Sequence, residues 1–204
     1  MTFVRPLPRS SCTATLHTTH YALRAFDAFG CRRIIDVGCG DCFFEKMYPG
    51  RFVGIDIEPG RLAQNAARGV RGILLGKAEE LPFRGETFDG ILAQDVLEHL
   101  YLEQAFRFLA DAKRVLRRGG IFVIMTFRAT QSFWDKPDHV RPYSNKWVRR
   151  VLVHELEGFE VVEERRFSAG IPGFGRLGIE SLAHRLAHWF GLRYDHGMIV
   201  LRKE

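Results

Sequence analysis

Short apolar runs alternate with longer amphipathic stretches along most of this chain. The runs predict buried strands at residues 32–37, 52–57, 72–75, 88–93 and 121–127. Apolar residues at helical spacing predict helices at 13–29, 42–48, 60–68 and 96–117. In the last of these, one stripe is formed by Leu97, Tyr101, Ala105, Phe108, Leu109, Ala112 and Val115. Alternating strands and helices, with strands that are apolar throughout, predict a parallel sheet covered on both faces.

The C-terminal third departs from this alternation. A helix is predicted at 145–157, followed by strands at 159–167 and 198–202 with no helical crossover of the earlier kind between them. We therefore expect an antiparallel hairpin at one edge of a seven-stranded, mostly parallel sheet, in an α/β fold of three layers. No stretch has the composition of a flexible linker, so residues 1–204 are predicted to form a single domain. Within it, residues 1–30 form an N-terminal cap helix and residues 168–197 a substrate-side insertion.

Composition and charge narrow the class of protein. Apolar residues make up 46% of the chain, yet none of their runs is long enough to cross a bilayer, and the N-terminus does not read as a secretory signal. A cytoplasmic protein is therefore expected. The net charge of +6 comes from scattered arginines. They form either an ordinary solvated surface or a basic face for nucleic acid, anionic lipid or an acidic substrate.

A glycine turn at the end of the first strand is the main candidate for a binding site. Asp36 closes the strand, and Gly38 and Gly40 would let a ligand approach the main chain. Asp56, at the end of the second strand, is placed to accept hydrogen bonds from both ribose hydroxyls of a nucleoside. In open parallel sheets such features meet beyond the carboxyl ends of the strands.

A nicotinamide dinucleotide and a nucleoside cofactor without pyrophosphate are the alternatives for this turn. The dinucleotide-binding fingerprint has a third glycine at the position that Phe43 occupies in this chain. Asp41 and Glu45, near the start of the next helix, would also repel a pyrophosphate. The nucleoside cofactor fits better. The pair Cys39 and Cys42 has the spacing of a redox or metal site, but no second pair completes a zinc site, and we predict no metal.

The motifs taken together resemble those of the class I S-adenosylmethionine-dependent methyltransferases. The resemblance covers roughly 31–162 and is closest to the small-molecule subgroup that includes ubiquinone and menaquinone biosynthesis enzymes. It rests on several motifs in order: Ile35-Asp36-Val37-Gly38-Cys39-Gly40, Gly54-Ile55-Asp56, Ala78-Glu79-Glu80-Leu81-Pro82-Phe83, Phe88-Asp89, Asp95-Val96-Leu97-Glu98-His99 and Leu116-Arg117-Arg118-Gly119-Gly120. The resemblance implies a Rossmann-like fold, with S-adenosylmethionine as the cofactor.

The same resemblance implies roles for individual residues. The methionine part of the cofactor would lie against Asp36, Gly38, Cys39 and Gly40, and the ribose hydroxyls against Asp56. The adenine would be bordered by Ile57, Ala78 and Glu79, and Gln94 would approach the methionine amino group or the methyl donor. One departure concerns Lys77, because the family often has an acid there, and a lysine cannot accept a hydrogen bond from adenine.

The loop after the fifth strand supplies the candidates for catalysis and substrate binding. His139 and Tyr143 are predicted as catalytic residues, since a histidine titrates near neutral pH. Arg141, with His99 at the start of the long helix, is predicted to contact substrate. The alternative is that His139, Arg141 and Tyr143 only fasten the loop to the sheet edge, and that His99 is a packing residue.

The predicted function is methyl transfer to a small-molecule or lipid-like acceptor. Nucleic acid is not expected as a substrate, because the base-amine motif after the fourth strand is missing. The alternatives are a non-catalytic S-adenosylmethionine-binding partner protein and an RNA or protein methyltransferase. The amphipathic segment 177–190, within the divergent stretch 171–193, would close the pocket, pack on the sheet, meet a second subunit or lie on a membrane surface. The sequence does not indicate the oligomeric state.

Overall fold

A seven-stranded mixed sheet organises the protein, with the strand order β3-β2-β1-β4-β5-β7-β6. The computed structural model describes residues 13–127, 129, 131–167 and 196–204. The strands are β1 (Ile34–Val37), β2 (Phe52–Asp56), β3 (Ile73–Leu75), β4 (Phe88–Gln94), β5 (Leu116–Phe127), β6 (Phe159–Phe167) and β7 (His196–Lys203). The first five run parallel, and β7 pairs antiparallel with both β5 and β6. The predicted fold class, with its antiparallel edge pair, is confirmed.

Helices cover both faces of this sheet. They are α1 (Thr13–Ala28), α2 (Phe43–Met47), α3 (Pro59–Ala67), α4 (Leu102–Val115), α5 (Gln131–Trp134) and α6 (Asn145–Arg149), together with a 3-10 helix (Leu97–His99) and a π-helical turn (Arg150–Glu155) that continues α6. None of these helices combines the length and apolar character that crossing a bilayer requires. The predicted segment 177–190 lies outside the described residues.

Alternate residues of the central strands enter two separate cores. Phe122 and Ile124 of β5 pack in the core that contains α4, whereas Val123 packs in the core that contains Phe26 of α1. Because both faces are buried, the strands carry apolar residues at successive positions, which is why they read as continuous runs in the sequence. This burial holds the carboxyl ends of β1, β2 and β4 at one edge.

The predicted long helix over 96–117 is wrong in its continuity. The chain forms the 3-10 helix, becomes extended at Leu100, and begins α4 only at Leu102. Gln104 accepts a hydrogen bond of 3.0 Å from the backbone N–H of Tyr101, which caps α4 and starts a new helix there. Tyr101, predicted to lie in the apolar stripe, is consequently 67% exposed. The break places His99 in a separate turn at the sheet edge.

The end of α4 also differs from the prediction. Gly119 and Gly120 were expected to end the helix, but the helix ends at Val115 and β5 begins at Leu116. The two glycines lie inside β5, where its register with β4 shifts between Phe88 and Gly90. Gly119 has a φ of 73°, so it supplies the left-handed residue of this irregularity. Glycine therefore marks a bulge here rather than a helix stop.

Replacing Gly90 with alanine should lower the free energy of unfolding by about 1–3 kcal/mol. An added Cβ would lie 2.8 Å from Cγ1 of Ile34 and 3.0 Å from Cε1 of Phe26, in a core with no room for it. Urea denaturation of Gly90→Ala beside Gly60→Ala checks this, because a Cβ on Gly60 in α3 meets nothing within 4 Å. Equal stability of the two variants would contradict the prediction.

Candidate cofactor site at the carboxyl edge of the sheet

The candidate site lies where the carboxyl ends of three parallel strands meet. β1 is flanked by β2 and β4, and Val37 pairs with Ile55 on one side and Ala93 on the other. The chain runs from β1 outward to β2 and β3 and then crosses back to β4 on the other side of β1, and this reversal of strand order creates the crevice in which open α/β sheets bind ligands. The structure therefore brings Asp36, Asp56 and Gln94 to one edge, as the sequence predicted.

The turn after β1 presents its main chain at close range. Gly38 and Gly40 have φ angles of 73° and 48°, a region that favours glycine. An added Cβ on Gly38 would lie only 2.7 Å from Cγ2 of Val96, so the turn packs directly against the segment that follows β4. Cys42 also has a positive φ, of 54°, and leads into α2. No pattern in the sequence indicated this positive φ at a cysteine.

Asp56 ties the turn to the end of β2. Its Oδ2 accepts a hydrogen bond of 2.7 Å from the N–H of Gly40, and its Oδ1 accepts one of 2.9 Å from the N–H of Glu58. The residue is 9% exposed. A carboxylate can accept about four hydrogen bonds, so each oxygen keeps a lone pair for a ligand hydroxyl. The arrangement fits a vicinal diol such as that of a ribose.

Buried acids make the electrostatics of this turn unusual. Burial, followed by the charges of Glu45 and Asp56, raises the pKa of Asp36 well above its ordinary value. Burial also raises the pKa of Glu45 from 4.5 to about 7. Neither carboxylate oxygen of Glu45 has a hydrogen-bond partner among the described residues. This concentration of acid suits a cationic ligand and opposes a pyrophosphate.

Glu45 is the residue whose surroundings sequence reasoning missed. Its position at the start of a helix suggested only a surface charge that would repel pyrophosphate, beside Asp41. Asp41 is exposed, but Glu45 is 2% exposed and its Oε1 lies where a Cβ on Gly54 would be 2.7 Å away. The signal was available in the sequence, because a glycine in the middle of a buried strand indicates that another group approaches closely.

The predicted adenine side of the site is more open. Ile57, directly after β2, is 61% exposed, which leaves an apolar surface beside Asp56. Ala78 is partly buried against the core. Glu79 accepts a hydrogen bond of 3.0 Å from Nε2 of Gln104, which holds its side chain against α4. Lys77 is exposed. Glu79 and backbone carbonyls therefore stay the acceptors that we predict for the adenine amino group.

Two of the predicted substrate and catalytic residues, His99 and His139, lie where the 3-10 helix meets the loop after β5. Gln94 is partly buried at the end of β4. His139 is 9% exposed, and its ring centroid lies 5.1 Å from that of His99 and 4.6 Å from that of Phe133. Burial and the nearby Lys136 lower its pKa, so the imidazole is neutral at neutral pH. The structure thus brings His139 and His99 together.

Tyr143 and Arg141 hold different positions from those two histidines. Tyr143 is 1% exposed, and its hydroxyl donates a hydrogen bond of 2.9 Å to the carbonyl of Leu100. Burial raises its pKa, which keeps the phenol protonated and leaves no phenolate to act as a base near neutral pH. Arg141 is exposed and its guanidinium lies 5.8 Å from the centroid of the Tyr143 ring. These contacts fasten the loop to the segment between the 3-10 helix and α4.

The cysteine pair in the turn is buried and reduced. The Sγ atoms of Cys39 and Cys42 are 3.8 Å apart, and both residues are free cysteines. Burial raises the pKa of both thiols, which keeps them protonated near neutral pH. A protonated thiol is a weak nucleophile and a poor metal ligand. The contacts of this pair are those of packing residues.

Comparison with known proteins now places the site in a family. Residues 35–124 match the family described as "Methyltransferase domain". The chain carries a methyltransferase domain of the S-adenosylmethionine-dependent family. The matched residues span the glycine turn, Asp56 and the 3-10 helix. The comparisons confirm the predicted family, fold class and cofactor, S-adenosylmethionine.

Two curated relatives show the range of proteins that share this methyltransferase domain. The chain is 31% identical over 150 residues to a ubiquinone biosynthesis O-methyltransferase of Azorhizobium caulinodans, covering 70% of this chain and 58% of that protein. It is 24% identical over 171 residues to a phthiotriol/phenolphthiotriol dimycocerosates methyltransferase of Mycobacterium ulcerans, covering 78% of this chain and 62% of that one. The chain thus spans less than two thirds of the length of both relatives.

A solved structure supports the fold of the methyltransferase domain independently. The N-methyltransferase NodS of Bradyrhizobium japonicum, in complex with S-adenosyl-L-homocysteine, superposes with a TM-score of 0.68 at 20% identity. The match covers 95% of this chain and 89% of that one. At this identity the likeness concerns the fold alone.

Proposed function

We propose that this protein transfers the methyl group of S-adenosylmethionine to a small-molecule or lipid-like acceptor. The observation that carries the proposal is the acidic glycine turn. Asp36, Glu45 and Asp56 place buried carboxyls around the glycine turn. S-adenosylmethionine has a sulfonium and an ammonium group, so it would place positive charge beside these carboxyls and stabilise their ionised forms. A dinucleotide would bring negative charge to the same place.

Each part of the turn has a task in this proposal. Asp56 accepts hydrogen bonds from the ribose hydroxyls through the lone pairs that Gly40 and Glu58 leave open. Gly38 and Gly40 allow close approach of the methionine portion, and exposed Ile57 packs on the adenine. When bound, the cofactor supplies an electrophilic methyl group that already carries its leaving group. The protein contributes position and exclusion of water.

The acceptor must approach from the side of Gln94 and the two histidines. A hydroxyl acceptor has to lose its proton, and the neutral imidazole of His139 is the described side chain there that can take it near neutral pH. Tyr143 serves as a positioning residue, because its hydroxyl is bound to Leu100. The names of the two relatives, an O-methyltransferase of ubiquinone biosynthesis and a phthiotriol methyltransferase, support a lipid-like acceptor with hydroxyl groups.

Turnover of cofactor separates this proposal from a non-catalytic binding protein. The full chain is incubated with radiolabelled S-adenosylmethionine and with lipid, small-metabolite, RNA and protein fractions of a cell extract. We expect S-adenosylhomocysteine to form and label to enter the lipid or small-metabolite fraction. Tight cofactor binding without transfer to any fraction would refute the enzyme and favour a binding partner. Label in RNA or protein would refute the acceptor class.

A further inference from the structure

The 3-10 helix and the loop after β5 bring together a group of metal-binding side chains that the cofactor turn does not use. Glu98, His99 and His139 each offer one ligand atom, and these atoms all lie within 4.8 Å of one another. The backbone fixes the two segments to each other, because Val140 donates a hydrogen bond of 2.7 Å to the carbonyl of Glu98. The ligand atoms of the three side chains therefore lie close together on two segments that a backbone hydrogen bond joins.

Glu98 is the observation that points to a ligand. Its exposed fraction is 0%, and neither of its carboxylate oxygens has a hydrogen-bond partner among the described residues. A buried carboxyl without a partner destabilises a fold, and such a group calls for an explanation such as a bound ion. A cation between Glu98 and the two imidazoles would remove the penalty.

The geometry of His99 prepares it for this role. Its Nδ1 lies 3.0 Å from the carbonyl oxygen of Asp138. A carbonyl only accepts, so Nδ1 carries the proton and Nε2 keeps its lone pair. Histidines that bind metals commonly donate the other ring N–H in this way, which fixes the tautomer and the ring orientation.

We propose that Glu98, His99 and His139 bind a divalent cation of the first transition row, such as Zn²⁺ or Mn²⁺. Two imidazoles and one carboxylate favour these ions over Ca²⁺ and Mg²⁺, which prefer oxygen ligands. Three protein ligands leave coordination positions open, as in catalytic rather than structural sites. The His99 side chain is 38% exposed, so solvent reaches at least one of the three proposed ligands.

The site also lies beside the cofactor turn. Val96, two residues before Glu98, is the residue against which Gly38 packs. Resting on the proposed function, the cation would bind the oxygen of an acceptor hydroxyl and lower its pKa. The O–H bond then breaks with the proton leaving to water, and the oxygen forms the new bond to carbon as the sulfur–carbon bond breaks. In this arrangement water, and not His139, takes the proton, so His139 holds the metal in place of the base role that the proposed function gives it, and the methyl transfer itself is unchanged.

Metal binding by the full chain tests the site directly. The protein is stripped with a chelator, dialysed, and titrated with Co²⁺, Zn²⁺, Mn²⁺ and Mg²⁺ by calorimetry, with the visible spectrum of Co²⁺ as a second readout. We expect one equivalent of at least one of these ions to bind, a Co²⁺ spectrum typical of nitrogen and oxygen ligands, and a higher melting temperature for the loaded protein. Stoichiometric binding of Mg²⁺ alone, or of no ion, overturns the proposal.

Matched variants assign the ligands. Glu98→Gln, His99→Gln and His139→Gln should each weaken binding at least tenfold, whereas the exposed residues Glu103 and His154 provide the controls Glu103→Gln and His154→Gln. Glu98→Gln keeps the size of the side chain and removes the ionisable carboxyl, so it should fold without metal and keep the test decisive. Unchanged affinity in Glu98→Gln and His139→Gln overturns the site. Turnover measured on metal-free protein distinguishes the outcomes, since full activity without metal leaves the proposed function standing and refutes the catalytic part played by the cation.

Discussion

Replacing Asp56 with alanine should weaken the binding of S-adenosylmethionine by at least about a hundredfold. The carboxylate is expected to accept hydrogen bonds from two ribose hydroxyls, and hydrogen bonds to a charged group are worth about 1.5–3 kcal/mol each. The substitution also releases the N–H of Gly40, which Asp56 holds at 2.7 Å, so the cradle itself loosens. Calorimetric titration of the full chain with S-adenosylmethionine and S-adenosylhomocysteine measures the loss.

Asp89 provides a matched control for the structural part of this effect. Its exposed fraction of 7% is similar to the 9% of Asp56. Its Oδ1 accepts hydrogen bonds of 2.9 Å and 2.7 Å from the N–H groups of Arg32 and Arg33. Because it lies near the start of β4, it is at the opposite edge of the sheet. Asp89→Ala should therefore lose stability comparably and keep its cofactor affinity. Equal affinity of Asp56→Ala and the wild-type protein would refute the assigned role.

Local sequence signals were sufficient for most of the fold. The alternation of buried strands and amphipathic helices predicted the parallel part of the sheet, because burial on both faces imposes apolar residues at successive positions. The missing crossover between residues 167 and 198 predicted the antiparallel edge. The break before α4 was missed, since it depends on Gln104 capping Tyr101 and on Tyr143 bonding to Leu100 from 43 residues away. The helical spacing of apolar residues in the sequence continues across such a break and therefore does not reveal it.

The candidate site was predictable in its backbone and much less in its electrostatics. Glycines and acids at strand ends have a short-range signature, so Asp36, Gly38, Gly40 and Asp56 could be placed from the sequence. Burial of a charge depends on which elements pack over it. Glu98 sits in a motif that the sequence analysis used only for recognition, and its convergence with His139 requires two segments far apart in the chain. His99 and His139 could be singled out one by one from the sequence, but their convergence with Glu98 had no sequence signal.

Replacing Glu45 with glutamine should remove part of the pH dependence of stability. Burial raises the pKa of Glu45 from 4.5 to about 7, so the folded protein keeps a proton that the unfolded chain releases between these pH values. The folded state consequently loses stability as the pH rises through this window, and the loss is complete above about pH 7. From that displacement the effect is on the order of 3 kcal/mol. The raised pKa of Asp36 makes stability fall with rising pH in the same direction. Glu45→Gln should reduce this contribution as well, because the charge of Glu45 is one cause of that raised pKa.

Comparing the variant with the wild-type protein at two pH values isolates this effect. At pH 5 Glu45 is largely protonated and resembles a neutral amide, so Glu45→Gln and wild type should unfold at similar urea concentrations. At pH 8 the wild-type carboxylate is ionised without a partner, and the variant should be more stable. The change in this difference between the two pH values cancels any packing defect of the amide. Glu103→Gln, an exposed glutamate of α4, should show no such change. If the difference between Glu45→Gln and wild type is the same at pH 5 and pH 8, Glu45 is not a buried acid that ionises within this window.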